Sequence, residues 1–136
     1  MRRLLAAVAA ACALPLAAPT ASATPSVAAP PYVDHVEWAK WGDLSSLRVY
    51  PTPSGRGLSG MPGSRMQADE AWAEVLTLSP DAAIPGMWEQ FICHWQFAEL
   101  VEPGKVSWNL EPWRPEVSED QMISTGCNPG GTEEPF

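Results

Sequence analysis

Histidine close to acid and amide groups is raw material for proton-transfer chemistry. In this chain such groups concentrate between Phe91 and Pro115, FICHWQFAELVEPGKVSWNLEPWRP. His94 is the side chain there whose ordinary pKa lies near neutrality. A small hydrolase would use it as base or acid, with Glu111 orienting it. Its neighbours on one helix face are Gln90, Phe91, Phe97 and Ala98, none of them acidic, so the carboxylate has to come from elsewhere. The catalytic candidates are therefore His94 and Glu111. The competing expectation is a core histidine bonded to backbone. Cys93 beside His94 does not make a thiol–imidazole pair, because adjacent helical residues point about 100° apart.

The second group is Trp108, Asn109, Glu111, Trp113 and Arg114, which sets an amide, an acid and a base between two indoles. Flat aromatic faces beside amide and carboxylate groups suit a sugar-binding surface, and these five are the candidate binding residues. Against that stands packing. A buried indole removes ~200 Å² from water, worth at most ~5 kcal/mol at ~25 cal/mol/Å². A small domain with seven Trp has reason to use most of them in its core. His35 and His94 lack the spacing of a metal-binding pair, so no metal and no cofactor is expected. Gly55-x-Gly57-x-x-Gly60 has the dinucleotide-binding spacing, but Met61-Pro62-Gly63 separates it from any helix and a hairpin precedes it. Gly57-Leu58-Ser59-Gly60 only approximates a nucleophile elbow, and no calcium loop is present.

Those groups need a scaffold, and the chain has 136 residues to build one, enough for one domain. Residues 1–23 read as a secretory signal peptide. Arg2 and Arg3 precede an apolar run from Leu4 to Leu16, and cleavage is expected after Ala23 in Ala21-Ser22-Ala23. Lipidation at Cys12 is the weaker alternative. Cleavage leaves six basic residues against sixteen acidic ones, a net charge of −10. That excludes nucleic acid held by phosphate neutralisation and favours a cationic or neutral partner. No stretch after the signal is long and apolar enough to span a membrane as a helix. Cys93 and Cys127 are then the remaining cysteines, and in an exported chain they read as one disulfide. Closing a loop of about 34 residues is worth roughly 3–4 kcal/mol.

In chain order, residues 24–31 read as a disordered Pro/Ala linker. Tyr32 to Thr52 reads as a β-hairpin turning at Gly42-Asp43. Pro53 to Arg65 is Gly-rich and expected to be a mobile loop. Ser64-x-x-Gln67 predicts a capping box opening a helix with an apolar stripe of Ala68, Ala71, Trp72, Val75 and Leu76. Its acids Asp69, Glu70 and Glu74 read as a solvated face. Pro80 ends that helix. Pro85 is expected to open the next, running to about Leu100, apolar on most sides and therefore central. Val106 to Leu110 reads as a short strand. Ser118-x-x-Gln121 caps a short helix over Glu119 to Thr125, which stops at Gly126. Asn128 to Gly131 and the acidic tail 132–136 read as frayed. The fold class is α+β: one domain over residues 32–131, with an N-terminal hairpin packed on a central buried helix, two further helices and one disulfide.

Three motifs carry a resemblance: Cys93-His94-Trp95-x-Phe97, Ser107-Trp108-Asn109-Leu110-Glu111-Pro112-Trp113-Arg114-Pro115, and Cys127-Asn128-Pro129-Gly130. With Leu47 to Thr52 and Pro85-Gly86-Met87, they resemble a small secreted actinobacterial family known as a domain of unknown function. The resemblance spans most of residues 32–131. It implies export and a Cys93–Cys127 bridge, and it brings no assigned activity. Small secreted bacterial phospholipases also place Cys and His together on a helix, but they pair the His with Asp; here Gln96 stands two residues after His94. The expectation is a secreted, non-enzymatic binding domain acting at or outside the cell envelope on a glycan or a cationic (basic protein) partner. The alternatives are the hydrolase built on His94 with Glu111, and an acidic antagonist of a basic partner.

Overall fold

The computed structural model describes residues 18–20 and 28–131. The expected signal peptide and linker therefore fall largely outside the described residues, and the acidic tail 132–136 wholly so. Strands β1 (Val33–Trp41) and β2 (Leu44–Pro51) form the hairpin, and β3 (Trp108–Leu110) adds to β2 in an antiparallel sheet of order β1-β2-β3. Leu47 faces Leu110 and Val49 faces Trp108 across the β2–β3 pair, and all four are buried. One sheet face is thus apolar and needs covering.

Helices α2 (Arg65–Leu78) and α3 (Met87–Val101) cover it. α2 turns Ala68, Ala71 and Val75 inward at helical spacing, and the small alanines let it sit close. α3 brings Met87, Phe91 and Trp95 to the same core. Phe91 lies 6.0 Å from Trp108 edge-on and Trp95 makes a second edge contact with Trp108, geometry that aromatic rings favour. The far side of α3 carries a second cluster of Cys93, Met122 and Cys127, with Phe97 and Val117 against it. Met122 belongs to α4 (Glu119–Ser124), and the Cys93–Cys127 disulfide fixes this layer. A helix between two apolar layers has little polar face left, which is the pattern its sequence shows. The α+β class, the hairpin, the central helix and the bridge are all present.

Several local expectations give way to stronger contacts. The Gly-rich stretch is not a loop throughout: Pro53–Leu58 forms a short helix, α1. Thr52 caps it by accepting from Gly55 N, and Pro53 is preset for its first turn. Gly55 is required by close approach, since a Cβ there would lie 2.2 Å from Tyr32 O. Ser64 opens α2 without capping it. Its hydroxyl donates to Met61 O and accepts from Trp95 Nε1, so a core contact displaces the capping box. Glu74 is not simply solvated. Its Oε2 accepts from the Tyr32 and Val33 amides at 2.8 and 2.7 Å, pinning the start of β1 to α2. α3 begins at Met87, two residues after Pro85, because Gly86 holds a left-handed conformation ahead of it. The Asn128–Gly131 segment is not frayed: Pro129 is fully buried and its carbonyl is held by Arg114.

At the end of α2 the Ser79 hydroxyl donates to Asp81, and Trp38 Nε1 donates to Ser79 Oγ at 3.0 Å and reaches Asp81 at 3.4 Å. The Ser79 bond is the larger cause, with Trp38 assisting, that holds the Asp81 carboxyl below its ordinary value. A depressed folded-state pKa stabilises above the ordinary Asp pKa of ~3.9, and the contribution is lost as pH falls through the folded value. Asp81→Asn should therefore flatten the acid limb of stability below about pH 4, read by urea denaturation across pH. An unchanged acid limb would show that Asp81 contributes nothing there. Gly55→Ala should lower stability by about 1–3 kcal/mol, the scale of overpacking. Wild-type stability in that variant would mean that the Tyr32 carbonyl yields freely.

Candidate functional site

Glu111 follows β3 directly, and α3 holds its backbone. The Gln90 side-chain amide donates to Glu111 O and accepts from Glu111 N, both at 2.9 Å. Strand exit and central helix are thereby locked in one register. The Glu111 carboxylate is 1% exposed. One oxygen accepts from Ser46 Oγ at 2.9 Å and the other from Arg114 Nε at 2.6 Å. Arg114, also buried, donates through Nη1 to Pro129 O at 3.2 Å and Gly131 O at 3.0 Å, and its guanidinium lies over the Trp113 ring. Trp113 in turn donates to Ser45 O. The result is a buried network tying β2, α3, the strand exit and the C-terminal segment together.

This network takes up Glu111, Trp113 and Arg114 of the residues singled out from the sequence. Trp108 is wholly buried against Phe91 and Trp95, so no ring can stack on it from solvent. Glu111 and Arg114 bind each other. Asn109 and Trp113 keep partial exposure, and Asn109 sits opposite Arg48 on the outer face of the sheet. His94 is 5% exposed, and its Nδ1 donates to Gln90 O at 2.8 Å, the backbone contact of a core histidine. A carbonyl can only accept, which places the proton on Nδ1. The Glu111 carboxylate is occupied by Ser46 and Arg114. His94 borders a recess of about 110 Å³ with Phe97, Val101 and Lys105, and Glu111 is not part of it. The Glu111 oxygens are thus engaged with Ser46 and Arg114, where the hydrolase would need them on His94. Among the described residues no group of three or more His, Cys, Asp or Glu could hold a metal ion.

A further concave surface lies on the helical side. A groove of about 400 Å³ runs between the Gly60–Ser64 turn, α3 and α4. It continues into a second hollow of about 160 Å³ beside Trp88. The two share Arg65, Ile92, Gln96, Glu119 and Ile123. Ile92 and Trp95 form a buried floor, while Met61, Leu100 and Ile123 stand exposed on the rim at 54, 66 and 43%. The turn is tied to the floor by Gly60 N donating to Trp95 O at 2.7 Å and by the Trp95–Ser64 bond. Sequence reasoning missed this surface because its walls come from three separated segments. The one local sign was an apolar excess on α3 beyond what a single core uses.

The geometry defines a small disulfide-bridged α+β domain, and residues 33–130 match the family described as Protein of unknown function (DUF2599). The chain belongs to that family. It is 61% identical over 107 residues to the uncharacterized protein Rv0477 of Mycobacterium tuberculosis, covering 79% of this chain and 72% of that one. It is 50% identical over 103 residues to the uncharacterized protein ML2452 of Mycobacterium leprae, covering 76% and 83% of the two chains. No solved structure matches it.

Because the Glu111–Arg114 pair is fully desolvated, removing one partner strands the other charge. Arg114→Met should cost about 3–5 kcal/mol in chemical denaturation. The double variant Glu111→Leu with Arg114→Met should cost clearly less than the two single effects combined, with a coupling of about 0.5–3 kcal/mol. Strict additivity would show that the two side chains are not energetically paired.

Proposed function

We propose that this chain is an exported, non-catalytic binding domain acting at or outside the cell envelope, with the groove along α3 as its contact surface. The observation that carries the reading is the groove itself: an apolar floor, exposed apolar rim residues and a volume in the range of ligand sites. The disulfide suits an oxidising compartment, and among the described residues no helix is long and apolar enough to cross a membrane. The signal-like first 23 residues and the net charge of −10 that follows them fit export and a cationic or neutral partner. A glycan reading has less support, because Trp108, Glu111 and Arg114 lie in the interior and leave Asn109 and Trp113 alone near the surface.

The neutral apolar dye Nile red reads out such a groove without reference to charge. It should bind the folded protein saturably, with emission shifted to the blue. Leu100→Glu and Ile123→Glu, both at exposed rim positions, should each weaken binding at least about tenfold, equivalent to about 1.4 kcal/mol. Absence of saturable binding, or binding indifferent to both substitutions, would remove the groove as the contact surface.

A further inference from the structure

The rim of the groove carries a charge pattern as well as apolar side chains. Arg65 is the basic residue lining it, and its charge is already answered. Its Nε lies 3.3 Å from Asp69, and its guanidinium rests on the Trp88 ring at 4.7 Å from the centroid. Glu89 from α3 and Glu119 from α4 line the hollow beside Trp88. Neither takes a hydrogen bond or ion pair among the described residues, and both are exposed. Glu116 packs near Gly86 at the start of α3, and Asp120 follows Glu119 on α4. An apolar trough is therefore edged by Glu89 and Glu119, whose counter-charges the described residues do not supply.

From this we infer that the groove receives an amphipathic, lysine- or arginine-bearing segment of a partner protein, apolar face down. The inference rests on the groove being the contact surface and adds the chemistry of the occupant. Apolar side chains at i, i+3, i+4 and i+7 of such a segment meet the Ile92–Trp95 floor and the Met61, Leu100 and Ile123 rim. Its basic residues fall over Glu89 and Glu119. Methionine on the rim adapts to side chains of differing shape, so Met61 tolerates variation in the partner. Charge at such a rim acts mainly on the rate of association and on the choice of partner. An anionic amphiphile would meet unneutralised carboxylates at the same edge and is disfavoured.

The test uses two labelled synthetic peptides with the same leucine pattern at helical spacing, one with lysine and one with glutamate on the polar face, in fluorescence anisotropy with the full mature chain. The lysine peptide should bind at least about tenfold tighter than the glutamate peptide, and the gap should narrow as salt rises, as screening of exposed charge requires. Glu89→Gln with Glu119→Gln should close most of that gap while far-ultraviolet circular dichroism and thermal unfolding stay at their wild-type values, which reports that the fold carrying the groove is intact. Equal affinity for the two peptides, or a gap that survives the double substitution, overturns the inference while the apolar groove stands. Binding of zwitterionic vesicles with neither peptide bound overturns it in favour of a lipid surface. Loss of dye, vesicle and peptide binding together removes the groove reading itself.

Discussion

The two hydrogen bonds between the Gln90 amide and the Glu111 backbone are the constraint on which the remaining architecture depends. A glutamine buried in the first turn of α3 is costly unless both ends of its amide are satisfied. Here one residue at the exit of β3, Glu111, satisfies both, which fixes the distance and register between α3 and β3. That placement seats Trp108 against Phe91 and Trp95 on one side. On the other it sets the Glu111 carboxylate within reach of Ser46 and Arg114. A desolvated carboxylate needs such partners, and Arg114 then has enough remaining donors to hold the carbonyls of Pro129 and Gly131. One side-chain amide thereby organises the interior from the central helix to the C-terminal segment.

Much of this was legible in the sequence where the signal is periodic. Alternation in Leu47–Tyr50, the stripe of Ala68, Ala71 and Val75, and the all-round apolar character of α3 come from burial, and burial repeats at the period of the backbone. The Ser118 cap and the Gly126 stop were also legible, because both act locally. The site was less so. His94 and Glu111 look like a pair when only residue types are weighed, yet the partners that claim Glu111 lie 65 positions before it and three after it. Ser46 and Gln90 carry no sign that marks them as its contacts. The Ser64 capping box failed for a related reason: Trp95, 31 residues on, competes for the same hydroxyl. Long-range claims on a polar atom override local patterns whenever the competitor is buried.

The groove arises from the same economy of packing. α3 is apolar on most sides, but the sheet with α2 and the α4 layer cover only part of that surface. What they leave uncovered lies between them, and the Gly60–Ser64 turn raises a wall along its edge. The groove is the remainder of the core, left open beside an α4 of only six residues.

That short helix carries a further consequence. Six residues cannot hold a helical conformation alone in water, and α4 rests on a small cluster containing the Cys93–Cys127 bridge. Glu119 and Ile123 on α4 are also groove residues. By tying Cys127 to Cys93 on α3, the bridge holds the end of α4 in place, and with it the side of the trough that α4 forms.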